Sequence, residues 1–116
     1  MPSRPSDTAL RDIVHHIALA SEFAAEFDLK TFKNDLKTIY AVTRCLEIIS
    51  EASRRLPNEI KARHQSLAWK QMAGAGNVYR HDYEDVAAEF VWETVQRALP
   101  PLKAAMEQEI ARLRSQ

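Results

Sequence analysis

The chain is poor in residues that break or staple a fold. It holds two glycines and one cysteine among 116 residues. Cys45 stands alone, which excludes an internal disulfide and leaves no second thiol for a zinc site. That usage fits a reducing compartment. Net charge is also missing, since 16 Lys and Arg balance 16 Asp and Glu, which argues against a protein that coats nucleic acid by bulk electrostatics. No apolar run approaches the roughly 20 residues that a membrane-spanning helix needs. Residues 1–7 are polar, contain two prolines and lack the apolar core of a signal peptide. The expectation is one cytoplasmic domain over residues 1–116, with 1–7 a flexible N-terminus.

Strand signals are nearly absent too, because apolar residues rarely alternate with period two. Helical spacing takes their place. Leu10, Ile13, Val14, Ile17, Ala24 and Phe27 form one stripe, with Ser6 or Asp7 as the candidate N-cap. After a break at Asp28, the residues Phe32, Leu36, Ile39, Leu46, Ile49 and Ser53 predict one long helix of about 25 residues reaching Leu56. Leu29, Tyr40, Ile48 and Ala52 give it a second apolar strip, which predicts a central helix or one that also meets another chain. Pro57 and Asn58 end that helix or open a short one. Ser66 is the candidate cap of a third helix over 67–80, with Ala68, Met72, Ala75 and Tyr79 in register. Residues 82–85 read as a connection. A fourth helix over 86–98 buries Phe90, Val91 and Val95. Pro100 and Pro101 interrupt the pattern, and a last helix carries Leu102, Met106, Ile110 and Leu113. The predicted fold is an all-α antiparallel bundle of four to five helices.

The charge is unevenly placed. Residues 54–81 hold Arg54, Arg55, Lys61, Arg63, Lys70 and Arg80 against one acid, Glu59. Such a segment can attract a phosphate backbone, and it can equally be a solvated face. Both glycines, Gly74 and Gly76, fall inside the predicted third helix, where each costs about 1 kcal/mol against alanine. Close packing of a helix, a second subunit or a ligand explains that choice. Asn77, Arg80 and His81 stand at i, i+3 and i+4, with Tyr83 just beyond. A histidine titrating near neutrality can move a proton. An arginine offers a fixed cation to charge growing on phosphorus oxygens. Such a group can handle a phosphodiester without metal, and no cofactor is expected; with RNA the substrate's own 2′-hydroxyl serves as nucleophile, so no protein nucleophile is required. The same spacing also suits a histidine placed at a helix C-terminus for the dipole.

From about Arg11 to Ile110 the chain resembles HepT-type proteins, a branch of the HEPN superfamily of helical ribonucleases and toxins. The pieces that carry the likeness are Arg11-Asp12-Ile13, Leu46-Glu47-Ile48-Ile49-Ser50-Glu51-Ala52, Leu56-Pro57-Asn58-Glu59-Ile60-Lys61, residues 69–74, Trp92-Glu93-Thr94-Val95 and Leu99-Pro100-Pro101-Leu102. The family's motif is an arginine, a polar residue that is usually asparagine, a histidine a few positions on, one residue and a tyrosine. Asn77, His81 and Tyr83 match it, whereas the arginine's position holds Gly76. Either Arg80 supplies the cation from a neighbouring position, or the fold has outlived the cleavage.

The resemblance implies a metal-independent endoribonuclease with His81 as acid/base group, Arg80 as phosphate-stabilising cation and Asn77 as orienting group. It also implies a homodimer whose two motifs share a cleft, with Gly74 and Gly76 permitting close approach. The partner would be a minimal nucleotidyltransferase antitoxin that modifies Tyr83, which otherwise contacts phosphate. The alternative is a non-catalytic subunit that binds the nucleotidyltransferase or a nucleotide, and a purely structural helical adaptor stands third. Elsewhere, His15 and His16 lie on the first helix and His64 in a loop read as solvated. Asp12, Arg44 and Glu51 are expected to form ion pairs or line the cleft. Trp69 and Trp92 are expected as core or interface anchors, and Cys45 as a buried apolar residue.

Overall fold

The computed structural model describes residues 5–72 and 84–115, with side chains at 6–72 and 88–115. Every regular element among the described residues is helical, as the periodicity predicts. In order these are α1 (Pro5–Ala24), α2 (Leu29–Lys33), α3 (Leu36–Arg54), α4 (Asn58–Arg63), α5 (Glu84–Glu93), a π-helical turn (Thr94–Ala98) and α6 (Leu99–Arg114). A further helical stretch opens at Trp69, of which residues 69–72 are described. No helix among the described residues is long and apolar enough to cross a membrane.

Several boundaries differ from the sequence expectation, each for a local reason. Ser6 and Asp7 lie inside α1 instead of capping it, because Pro5 is accepted in a first turn where its missing N–H has no partner to lose. Asp7 instead pairs with Arg11 at 2.8 Å. The single long helix predicted after Asp28 is two helices. Asp28 opens α2 with a capping box, its carboxylate accepting the Thr31 N–H at 2.8 Å while Thr31 Oγ1 accepts the Asp28 N–H at 2.9 Å. Asp35 then caps α3 by accepting the Thr38 N–H at 3.1 Å, which offers the backbone an alternative to helix continuation. Leu36 is 52% exposed on the new helix and so lies off the buried stripe predicted for it, while Tyr40 of the second strip is 69% exposed.

The prolines near residue 100 do not separate two helices. The Leu99 N–H reaches Thr94 O, five residues back, in the wider π register. Pro100 and Pro101 then occupy the first turn of α6, where amides are not needed. The helix predicted from residue 86 begins at Glu84. Ala88, Val91 and Val95 are its buried stripe, and Phe90 falls off that stripe and is 38% exposed rather than buried.

The core is built where α1 packs along α3 and α6, with α2 lying against α5 and α3. Leu10, Ile13 and Ile17 of α1 meet Val42, Leu46 and Ile49 of α3 and Leu102 and Met106 of α6 in one apolar cluster. Each fully buried side chain of this size contributes about 1.5–3 kcal/mol relative to exposure. Phe32 of α2 is fully buried, and its ring stands 5.2 Å from that of Trp92. Trp92 is thereby the core anchor expected of it. Cys45 is buried as expected, and burial pushes its thiol pKa up.

Candidate functional site

Asn77, Arg80, His81 and Tyr83, together with Gly74 and Gly76, lie outside the described residues. Both flanks of that segment are described. On its downstream side α5 starts at Glu84. On its upstream side Met72 packs against the core and lines a small pocket with Leu46 and Ile49 of α3, Thr94 of the π-turn and Leu102 of α6. Met72, the last described residue before the motif, therefore sits next to the junction of α3, the π-turn and α6.

The approach to Met72 is organised by a polar cluster that local sequence reasoning did not find. Pro57, its φ locked by the ring, precedes α4 with an extended ψ, at φ −66° and ψ 151°. Ile60 is the buried residue of this short helix. At its end, Arg63 and His64 both reach Glu109 of α6. Arg63 donates from Nη2 to Oε1 at 2.6 Å and from Nε to Oε2 at 3.1 Å. His64 Nε2 lies 2.8 Å from Oε2. Because an ionised carboxylate only accepts, Nε2 carries the hydrogen in this contact. Arg112 approaches the same carboxylate at 3.7 Å.

Glu109 is 2% exposed. Its pKa is lowered to about 2, mainly by the hydrogen bonds from Arg63; burial opposes that shift, and the bond from His64 adds to it. The same pairing raises the pKa of Arg63. Glu109 is thus an anion near neutral pH.

His64 was expected in a solvated loop. Its side chain is instead 13% exposed, because Glu109, far along the chain, supplies a partner that local spacing cannot reveal. A signal did exist: Leu102, Met106, Glu109 and Leu113 recur at i+4, i+7 and i+11, so a carboxylate occupies a core register position. The backbone groups of His64 are also engaged. Its N–H donates to Lys61 O at 3.1 Å, and its carbonyl accepts the Leu67 N–H at 3.1 Å. The same carbonyl accepts the Trp69 indole N–H at 3.0 Å. Ser66, the candidate cap, does not open the next helical stretch; that stretch starts at Trp69, and the Met72 N–H donates to Ala68 O at 2.9 Å. Trp69 is partly buried against the core, in keeping with its reading as an anchor.

The other singled-out residues separate clearly. Asp12 forms an ion pair with Arg55 at 3.0 Å, tying α1 to the end of α3. Arg44 and Glu51 are exposed on α3. His16 Nδ1 stands 2.7 Å from Asp12 O, so it carries the hydrogen, and His15 is exposed.

Comparison with known proteins agrees with this architecture. Residues 13–109 match the family model described as ribonuclease HepT-like. The chain is 40% identical over 98 residues to a probable ribonuclease HepT of Thermococcus cleftensis, covering 84% of this chain and 89% of that one. It is 33% identical over 107 residues to a putative RNase of Methanocaldococcus jannaschii, covering 92% of each. A putative RNase of Caldanaerobacter subterraneus is 31% identical over 102 residues, covering 84% of this chain and 91% of that one. No solved structure gives a significant match. With nearly the whole chain matched and the helical bundle in place, the protein belongs to the HepT-like ribonuclease family.

Proposed function

We propose that the chain is a metal-independent endoribonuclease that cuts RNA by attack of the substrate's own 2′-hydroxyl. The observation that carries this reading is the set Asn77, His81 and Tyr83, spaced as the family's motif requires, within a chain that belongs to that family. In the reaction His81 takes the 2′-hydroxyl proton as the 2′-oxygen bonds to phosphorus. The bond from phosphorus to the 5′-oxygen breaks, and that oxygen collects a proton from an imidazolium. A homodimer with facing motifs supplies that imidazolium as the second copy's His81. Arg80 neutralises the charge that grows on the non-bridging oxygens. Asn77 orients the imidazole or the phosphate. The products are a 2′,3′-cyclic phosphate and a 5′-hydroxyl.

Tyr83 is the regulatory position of this proposal. Nucleotide groups attached to it by a minimal nucleotidyltransferase antitoxin would add negative charge beside His81 and repel RNA phosphates. The protein is then the toxin half of a cytoplasmic pair. The second reading is a non-catalytic subunit that binds the nucleotidyltransferase or a nucleotide. Gly76, which stands where the family places its arginine, favours it.

Incubating the purified protein with total RNA in EDTA decides between the two. Cleavage that persists in the chelator and disappears in both His81→Ala and Arg80→Ala is the expected result, and it assigns the missing cation to Arg80. An unmodified dimer that leaves RNA intact would establish the binding subunit instead.

A further inference from the structure

We propose that His64, pinned by Glu109, is a positioning residue for RNA cleavage. The pinned turn sets where the helical stretch that opens at Trp69 begins, and that stretch runs on in sequence toward Asn77, Arg80, His81 and Tyr83. The proposal rests on the functional reading above for its consequence on catalysis, but its structural half stands on the described residues.

The argument begins with α4. It has six residues, too few to hold its own place. Beside the buried Ile60, Arg63 and His64 attach its end to α6 through one carboxylate. Apolar residues of similar volume hold short helices without the desolvation of a buried charge. What the ionic arrangement adds is direction: a bidentate guanidinium and an imidazole N–H on one carboxylate fix both distance and angle. His64 leaves the helix at φ −130° and ψ 53°. From there its carbonyl accepts twice, from the Leu67 amide at 3.1 Å and the Trp69 indole at 3.0 Å. The new helical stretch starts at Trp69, so its origin hangs on the His64 carbonyl while the His64 ring is held on α6. Met72, one turn on, completes the attachment against α3, the π-turn and α6. Displacing His64 moves the start of the stretch whose continuation in sequence carries the motif. Misplacement of reacting groups by about 1 Å is enough to cost roughly a hundredfold in rate.

The test uses His64→Leu, which removes the ring donor, and His64→Gln, whose amide N–H reaches the place of Nε2. Cleavage of one RNA oligonucleotide is followed below the melting temperature of every variant. Deuterium uptake across residues 73–83 is measured on the same samples. His64→Leu is expected to lower kcat about tenfold or more with KM within about twofold, and His64→Gln to restore most of it. Uptake across 73–83 should quicken in His64→Leu while α1 and α3 keep their protection. If His64→Leu fails to fold, Glu109→Gln replaces it and is expected to act in the same direction. A folded His64→Leu with wild-type kcat and wild-type uptake overturns the proposal, as does a lowered melting temperature with kcat unchanged. A wild-type protein that cuts no RNA contradicts the functional reading alone, and the uptake comparison then decides whether His64 places the segment.

Discussion

Two regions of the molecule are held by different physics. Where α1, α3 and α6 meet, contact is apolar: Leu10, Ile13, Val42 and Leu102 are fully buried. Where α4 and the turn before Trp69 meet α6, the decisive contacts are polar, and they converge on Glu109. Apolar packing is strong and non-directional, so it stabilises a scaffold without dictating the path of one segment. Hydrogen bonds on a buried carboxylate add less net stability and fix geometry. The bundle thus separates the part that keeps it folded from the part that fixes the turn before Trp69.

Three substitutions sharpen that comparison. Phe32→Ala removes a fully buried ring that packs on Trp92, and about 3–5 kcal/mol of stability should go with it in a denaturant titration. A loss below about 1 kcal/mol would mean that α2 is a peripheral attachment rather than part of the core.

Glu109→Gln should cost less at neutral pH, about 1–3 kcal/mol. This cost should depend on acidity. The folded-state pKa of Glu109 is depressed from 4.5 to about 2. Its contribution is therefore complete above the unfolded value and declines as pH falls from 4.5 toward 2. The stability gap between wild type and Glu109→Gln should shrink across that window in titrations at successive pH values. A gap that stays constant down to the acid limit would show that the carboxylate's charge is not what holds α4.

The smallest effect is expected at the helix cap. Asp35→Ala removes the acceptor for the Thr38 N–H and should cost about 1 kcal/mol. A helix that instead lengthens across residues 33–36, seen as added amide protection, would show that Asp35 is what divides α2 from α3.

The sequence was most legible where one physical signal dominated. The stripes Leu10–Ile13–Ile17 and Leu102–Met106–Ile110 correspond to buried faces because 3.6-residue spacing leaves little alternative. Boundaries were less legible where side chains compete with the backbone, as at Asp35, or where the helix changes register, as at Thr94–Ala98. The Glu109 cluster was hidden because its partners are separated by 45 and 46 residues. Only the appearance of a carboxylate in an apolar register pointed to it. The motif is a reading from spacing and resemblance and lies outside the described residues; the Glu109 cluster adds a physical anchor for the chain that precedes it.

The central claim is attack by the RNA's own 2′-hydroxyl with His81 as proton carrier. It is tested most directly by mapping the cut in one oligonucleotide, then replacing the nucleotide on its 5′ side with the 2′-deoxy form. The account predicts that the natural oligonucleotide yields a 2′,3′-cyclic phosphate end and that the 2′-deoxy substitution blocks that cut. Cleavage that continues at the 2′-deoxy position, or ends bearing a 3′-hydroxyl, would contradict it.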